Sequence, residues 1–570
     1  MKKKVIPVLV AIVLIFLVVA VAFGSMVIDK YSYSKEFADM EAYYGLEQKE
    51  DVAIVLQDEI LDEKARLIDG TYYFGLDTVT EYFTDRFYIN DVEQVVLFTT
   101  GTDVIKVMIG DDSDTCYIGD VGNSLGYKAA VMQGDTLYIA VDYVRKFVNF
   151  SCETFSGPNR MQVYTQWDVR NVAGIKKKSA VRYQGGIKSN ILEEVYPEDT
   201  VVVLEQLENW SKVKTNHAVI GYIENKYLSD IYPEKSEEVN DAQEVVINSI
   251  SRDHKINLGF HQVFNEGAGD LEELAKRSST LNVVAPTWFR LNSNEGGFHS
   301  IANAEYVNKA HSLGLEVWAV LTDVDSQEMF GLDVDFYTMF VSSENRQRLI
   351  NALVEQALTY EIDGINIDLE GIKKDAGPHF VQFLRELSIQ TRANNIVLSV
   401  DNFVPTEYTA HYNRAEQGLV ADYIIIMGYD EHYAGGGEAG SVASIGFVES
   451  GITGTKEVVP KEKIINAIPF YTRVWEVNGG TVSGSTLTMR MQQDWVSKTG
   501  STPVWNDETC QNYVECEMNG TTYQCWLEDV ESIQIKLNVM QAQEIAGVAS
   551  WKLGIEDKAV WEVIDQYVAN

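Results

Sequence analysis

Residues 363–370 read Asp-Gly-Ile-Asn-Ile-Asp-Leu-Glu, and this octet decides the fold. It follows a stretch with helical apolar spacing, Arg346 to Tyr360, and reads as a buried strand with a polar residue at every second position. A strand sends alternate side chains to opposite faces. Asn366, Asp368 and Glu370 therefore share one face, and Ile365, Ile367 and Leu369 share the other. Two carboxylates side by side on a buried face are costly unless they are paired or used. A metal or salt-bridge site on a sheet edge is the plain reading. A pair of working carboxylates is the sharper one, and the surrounding chain decides between them.

Outward from the octet, apolar strand-like runs alternate with helical stretches. The runs are Ile256–Val263, Leu281–Phe289, Leu315–Leu321, Gly364–Leu369, Ile396–Val400, Tyr423–Met427, Ile464–Phe470 and Val548–Leu553. Helical patterns such as Ala304–Leu313, Glu344–Tyr360 and His379–Arg392 lie between them. This alternation predicts parallel strands joined by crossover helices, and eight such units predict a closed (β/α)8 barrel, an α/β fold. In such a barrel the chemistry sits at the C-terminal strand ends. The residues expected there are Trp288, Glu370, Tyr429, Asp430, Tyr471, Arg473 and Trp551. Trp318, in the middle of its run, reads as core.

Three motifs, in this order, carry a family resemblance. They are the Asp363–Glu370 octet, which fits D-x-x-D-x-D-x-E except at one position, Met427-Gly-Tyr-Asp430, which fits M-x-Y-D, and Trp551 in the last strand. Ile468-Pro-Phe-Tyr-Thr-Arg473, and Trp526 with Glu528 and Asp529, support it. The segment 247–570 resembles glycoside hydrolase family 18, the chitinase-like barrels. It departs from that pattern at Asn366, where chitinases have an aspartate that helps keep the next one protonated. An asparagine is expected to hydrogen-bond Asp368 without adding charge. The Asn form, Pro286-Thr-Trp-Phe289 and an SH3-like module nearer the N-terminus resemble the branch of spore-cortex and peptidoglycan N-acetylglucosaminidases.

The resemblance implies a cell-surface glycosidase cutting β-1,4 links of N-acetylated polysaccharide, peptidoglycan or chitin-like. A catalytically silent glycan-binding surface protein is the alternative. It also implies substrate assistance, in contrast to retaining enzymes that use two carboxylates of their own. On that scheme Glu370 is the acid and then the base, and the substrate acetamide is the nucleophile. Asp368 orients the acetamide and Tyr429 donates to its oxygen. Trp551 floors the sugar subsite and Asp430 contacts its hydroxyls. Asn366, Tyr471, Arg473 and Trp288 are expected to line the substrate site, and Asp363 to support the motif structurally. No cofactor and no metal are implied.

The remaining chain reads as separate modules. Lys2, Lys3 and Lys4 precede an uncharged run from Val5 to Ile28, long enough to cross a bilayer. Positive charge before the run predicts that the chain beyond it is translocated. Residues 1–30 are therefore expected to be a transmembrane signal anchor on an extracytoplasmic protein, with a cleaved signal peptide at Ala20, Ala22 and Gly24 as the alternative. Thr71–Val79 and Thr136–Val144 align as an internal repeat. Each reads as a turn, a strand and a helix capped by Asp77 or Asp142. Residues 31–165 resemble a copper-amine-oxidase N-terminal-like domain, an α+β module to which no metal is assigned. Trp210-Ser-Lys-Val213 and Gly221-Tyr-Ile223 lie in a series of short strands. Residues 166–232 thus resemble a bacterial SH3 domain, a small β-barrel. Binding of cell-wall peptide is one role this implies, and packing alone is the other. Residues 233–246 read as an acidic linker.

Composition sets outer bounds. A net charge of −38 disfavours nucleic acid and anionic lipid as partners of the soluble part. An aromatic share of 11% suits neutral ligands such as sugars, although most of these rings must be core. The five cysteines are too few and too irregular for a disulfide framework. One pair among Cys510, Cys516 and Cys525 is compatible with their spacing.

Overall fold

The computed structural model describes residues 2–243 and 245–570. The side chains of residues 2–6 and 29 are also outside the described residues, and with them the Lys2–Lys4 cluster and Glu244 of the linker. The chain divides into two compact units. One comprises Met1–Phe87, Val95–Leu97 and Ile105–Val245, and the other comprises Tyr88–Gln94, Phe98–Val104 and Val246–Asn570.

In the first unit, Lys2–Tyr31 is one helix whose segment Pro7–Ile28 has mean hydropathy 3.1, long and apolar enough to cross a membrane. The two repeat copies become strands Thr71–Gly75 and Thr136–Ala140, each running straight into a short helix. They pair with each other antiparallel, Ile139 opposite Phe74. Asp77 and Asp142 are not the caps. Gly75 and Ala140 hold those positions with no side-chain cap bond, and the two aspartates sit in the first turn. There their charge still favours the helix N-terminus. Between Val169 and Lys235 seven short strands form one sheet around a core that includes Val181, Val201, Val213 and Ile223. Gly221 is needed there. A Cβ on it would lie 2.5 Å from the Arg182 carbonyl oxygen and 2.7 Å from Val181 Cγ1.

The second unit holds a closed parallel barrel. Its strands are β1 (Ile256–His261), β2 (Val283–Pro286), β3 (Glu316–Thr322), β4 (Gly364–Asp368), β5 (Val397–Phe403), β6 (Tyr423–Met427), β7 (Ile464–Pro469) and β8 (Gly547–Trp551). Each pairs with the next, and β8 pairs with β1, with Leu258 opposite Ala549. Every expected run is one of these strands. The helix before β4, Ser343–Tyr360, starts on the Ser342 hydroxyl, which accepts from Asn345 N, and stops where Glu361 turns left-handed at φ 58°.

Strand alternation sorts the octet as its pattern requires. Ile365, Ile367 and Leu369 face the outer helices in one apolar cluster, each burial contributing about 1.5–3 kcal/mol. Asn366 and Asp368 face the barrel interior, whose lower part is filled by Ile256, Leu258, Val320, Val397, Ile425 and Trp318. Trp318 is core, stacked on Tyr423 at 5.3 Å. It also explains Gly364, since a Cβ there would come within 2.7 Å of the indole. After β7 the chain leaves the barrel for a five-stranded antiparallel sheet between Tyr471 and Trp526, with helix Met489–Thr499 inserted in it. The five cysteines are free thiols, including the three in or beside this sheet.

Candidate active site

The C-terminal ends of six strands, β3 to β8, and the segments that follow them assemble the site. Glu370 lies just past β4, exposed at the mouth of the barrel. Its main chain is clamped from two sides. Asp323, after β3, accepts from the N–H of Glu370 at 2.8 Å and of Gly371 at 3.1 Å. The Tyr412 hydroxyl donates to the carbonyls of Leu369 and Glu370 at 3.2 and 3.0 Å. Gly371 permits this approach, because a Cβ there would sit 2.8 Å from Asp323 Oδ2. Surrounding protein strips water from the Glu370 carboxyl, and the negative charges of Asp323 and then Asp430 add to the effect. Its pKa is pushed up to about 7.

Asp368, two residues back on the same face, is 7% exposed. Burial holds its carboxyl well above the usual range, and the charges of Asp401, Glu370 and Asp323 act in the same direction. Asp401 comes from β5. The register Ile367–Val400 places it beside Asp368, one residue further on. Burial pushes the Asp401 carboxyl up to about 8, against a hydrogen bond from Asn366 that lowers it. Asp368 and Asp401 each keep one buried carboxyl oxygen, Oδ1, without a hydrogen-bond partner.

Asn366 departs from its expected role. It is fully buried, so it lines no substrate surface. Its amide nitrogen donates to Asp401 Oδ2 at 2.9 Å, and its amide oxygen accepts from the Ser399 hydroxyl at 2.6 Å. The amide is thus committed to β5 rather than to Asp368. Trp288 is a second correction. It is 0% exposed, with its ring edge-on to Tyr306 at 5.0 Å, inside the layer between barrel and helices where no sugar reaches it.

Tyr429 arrives from the end of β6, following Gly428. That glycine lies against β7, where a Cβ would meet the Ala467 carbonyl oxygen at 2.8 Å. Burial first, and then Tyr471 and the three carboxyls at 401, 368 and 370, hold the Tyr429 phenol well above its usual range. It therefore stays protonated, a hydrogen-bond donor facing acids. Tyr471 is itself buried and packs edge-on to Tyr429 at 6.2 Å, supporting that ring rather than opening to solvent. At the rim, Asp430 adopts φ 58° and accepts from Arg473 Nη2 at 2.9 Å. Trp551, at the end of β8, is half-buried beside Phe260 at 5.4 Å.

Asp363 lies at the opposite end of β4 from this group. Its Oδ2 accepts from Val317 N–H and lies the same distance, 2.8 Å, from His311 Nε2, which ties the starts of β3 and β4 together. His261, between the Tyr306 hydroxyl and Asp270, and His432, on the Ser441 carbonyl, have structural partners too. Among the described residues no group of three or more His, Cys, Asp or Glu side chains is placed to hold a metal ion.

The family model for glycosyl hydrolases family 18 matches residues 308–556, a span that contains the octet, Tyr429 and Trp551. Residues 308–556, from the helix before β3 past the end of β8, carry a family 18 glycosyl hydrolase domain. The uncharacterized glycosylase YvbX of Bacillus subtilis (strain 168) is 26% identical over 305 residues, covering 51% of this chain and 86% of that protein. The cortical fragment-lytic enzyme of the same organism is 27% identical over 237 residues, covering 39% of this chain and 54% of that enzyme. The chain thus spans about half the length of that relative. The crystal structure of a chitinase from Chromobacterium violaceum ATCC 12472 aligns with a TM-score of 0.50 at 21% identity, over 55% of this chain and 99% of that one, and shares the barrel fold. Within the family 18 domain, Asp323, Tyr412 and Asp401 are the members of the site that the motifs do not name.

Proposed function

We propose that the chain hydrolyses β-1,4 links following N-acetylglucosamine in an N-acetylated glycan, with retention and substrate assistance. The observation that carries this is the convergence of Glu370, Asp368 and Tyr429 on one barrel mouth. There the glutamic acid is half-protonated near neutral pH and the tyrosine is held as a donor. Glu370 gives its proton to the glycosidic oxygen. The acetamido oxygen of the substrate attacks the anomeric carbon, with Tyr429 donating to that oxygen and Asp368 holding the amide N–H. Water then opens the cyclic intermediate, with Glu370 accepting its proton. Trp551 is the floor of the sugar site. Peptidoglycan is the favoured polymer, in view of Asn366 and of the cortex-lytic relatives.

The N-terminal helix is proposed to anchor the protein at the outer face of a bacterial membrane. The SH3-like module is proposed to hold cell-wall peptide. A groove of about 370 Å³ beside it is lined by Lys178, Arg182, Glu194, Trp210 and Tyr227 of the module and by Tyr33 of the preceding segment, aromatic rings beside both signs of charge.

The test is release of reducing sugar from peptidoglycan and from chitooligosaccharides by the full-length chain, with Glu370→Gln as control. Equal release by both proteins sinks the hydrolase reading. Retained glycan binding without cleavage by either supports a silent binding protein. Turnover on a fully de-N-acetylated glycan contradicts substrate assistance.

A further inference from the structure

Family 18 barrels of the chitinase type place an aspartate where this chain has Asn366, so the proton partner of Asp368 must come from elsewhere. Four observations bear on where. Asp401 lies beside Asp368 on the neighbouring strand, by the Ile367–Val400 register. Both carboxyls are buried, Asp401 to 5% exposure, and both leave Oδ1 unpartnered. The remaining oxygen of Asp401 is taken by the Asn366 amide, and Ser399 orients that amide from the other side. No group of acids here, among the described residues, is arranged to hold a cation that would neutralise the pair.

Two buried carboxyls in this relation cannot both ionise, so together they hold one proton. An aspartate at 366 would place a third acid against Asp401. An amide there instead donates to Asp401 and leaves a single acid pair. The identities at 366 and 401 therefore form one unit, with one carboxyl shared between the two positions.

We infer that Asp401 is the positioning residue that replaces the missing motif aspartate: it is the proton partner of Asp368, relocated from β4 to β5. The inference rests on the hydrolase reading for its kinetic part. At rest the two carboxyls share one proton and the pair carries one negative charge. When the substrate amide N–H reaches Asp368, the proton passes wholly to Asp401. The charge of the pair then sits on Asp368, facing the positive charge that develops on the cyclised acetamide. After water opens the ring the proton returns, so none is gained or lost over the cycle.

The experiment compares wild type, Asp401→Asn and the exchanged double variant Asn366→Asp/Asp401→Asn as full-length chains, measuring kcat and KM against pH. Asp401→Asn is expected to lower kcat by about 10²-fold with KM within about threefold, and to displace the pH profile. The exchanged variant is expected to regain at least about tenfold over Asp401→Asn. Wild-type kcat and pH profile in Asp401→Asn, or no recovery in the exchanged variant, overturns the inference. Infrared spectroscopy supplies a readout independent of turnover. In difference spectra against Asp401→Asn and against Asp368→Asn, all in a Glu370→Gln background that removes the proton of Glu370, a protonated-carboxyl band of the pair is expected at neutral pH. If wild type cleaves no glycan, the hydrolase reading fails on its own, and the band still decides the pair. If the pair variants do not fold, a protonated-carboxyl band that survives in Glu370→Gln at neutral pH and titrates as a single proton supports it, and absence of any such band overturns it.

Discussion

Glu528 and Asp368 are both carboxylates buried in the same compact unit, and they are surrounded in opposite ways. Glu528 meets Lys536 Nζ at 3.0 Å, Gln511 Nε2 at 2.6 Å and the Ser532 hydroxyl at 2.9 Å. Burial pushes its carboxyl up and Lys536 pulls it back. Asp368 meets a second acid, Asp401, and keeps an unpartnered oxygen. A buried acid given a cation and donors is a structural joint. A buried acid given another acid holds a movable proton, which is a chemical resource maintained at the expense of stability.

The largest effect that tests this contrast is on the chemical side. Glu370→Gln is expected to lower kcat by about 10²–10⁴-fold, measured as reducing sugar released. In wild type the donating form of Glu370 is lost as pH rises through about 7. The rate is therefore expected to fall about tenfold per pH unit above that value. A flat profile to pH 9 would separate Glu370 from the acid role.

On the structural side, Lys536→Met strands the Glu528 charge and is expected to destabilise the barrel by about 3–5 kcal/mol in chemical denaturation. A loss below 1 kcal/mol would erase the distinction between the two sites. Next in size, Trp551→Ala is expected to cost about 10–100-fold in kcat/KM, through the loss of a stacking face. The buried Trp288→Phe should instead change stability and leave KM alone.

The smallest effect has the most informative sign. The Asp401 pKa, about 8 when folded, lies far above the ordinary value near 4. The folded state therefore binds more protons than the unfolded state between those limits. The contribution of this group to stability is complete below about pH 4 and is lost as pH rises towards 8. Asp401→Asn removes that decline. Its Tm is expected to exceed wild type by roughly 2–6 °C at pH 8, with the gap closing towards pH 5, by differential scanning calorimetry. A lower Tm at pH 8 would place Asp401 with Glu528 among the structural acids.

The barrel was legible because its strands are apolar runs that cannot be satisfied except under cover on both faces. Asp368, Glu370 and Tyr429 were legible through two motifs. Asp401 was missed for a local reason. The apolar run at β5 reads as ending at Val400, whereas the strand continues to Phe403 and carries Ser399 and Asp401 on alternate positions. That alternation, the same as in the octet, was the available signal. Asp323 and Tyr412 leave no such trace, since one acts on backbone 47 residues away and the other on backbone about 42 away. Trp288 and Asn366 were placed in the substrate site on position alone, and only packing shows them enclosed.

The Asp363–Glu370 octet by itself determined a buried strand, the face its polar residues share and the carboxyls that share it. Side-chain parity is a property of the backbone and needs no partner. Only the tertiary structure decided what those carboxyls face. Register between β4 and β5 brings Asp401 beside Asp368, and burial makes two ordinary acids compete for one proton. A pKa is a property of the surroundings, and those surroundings are assembled from strands 30 and more residues apart.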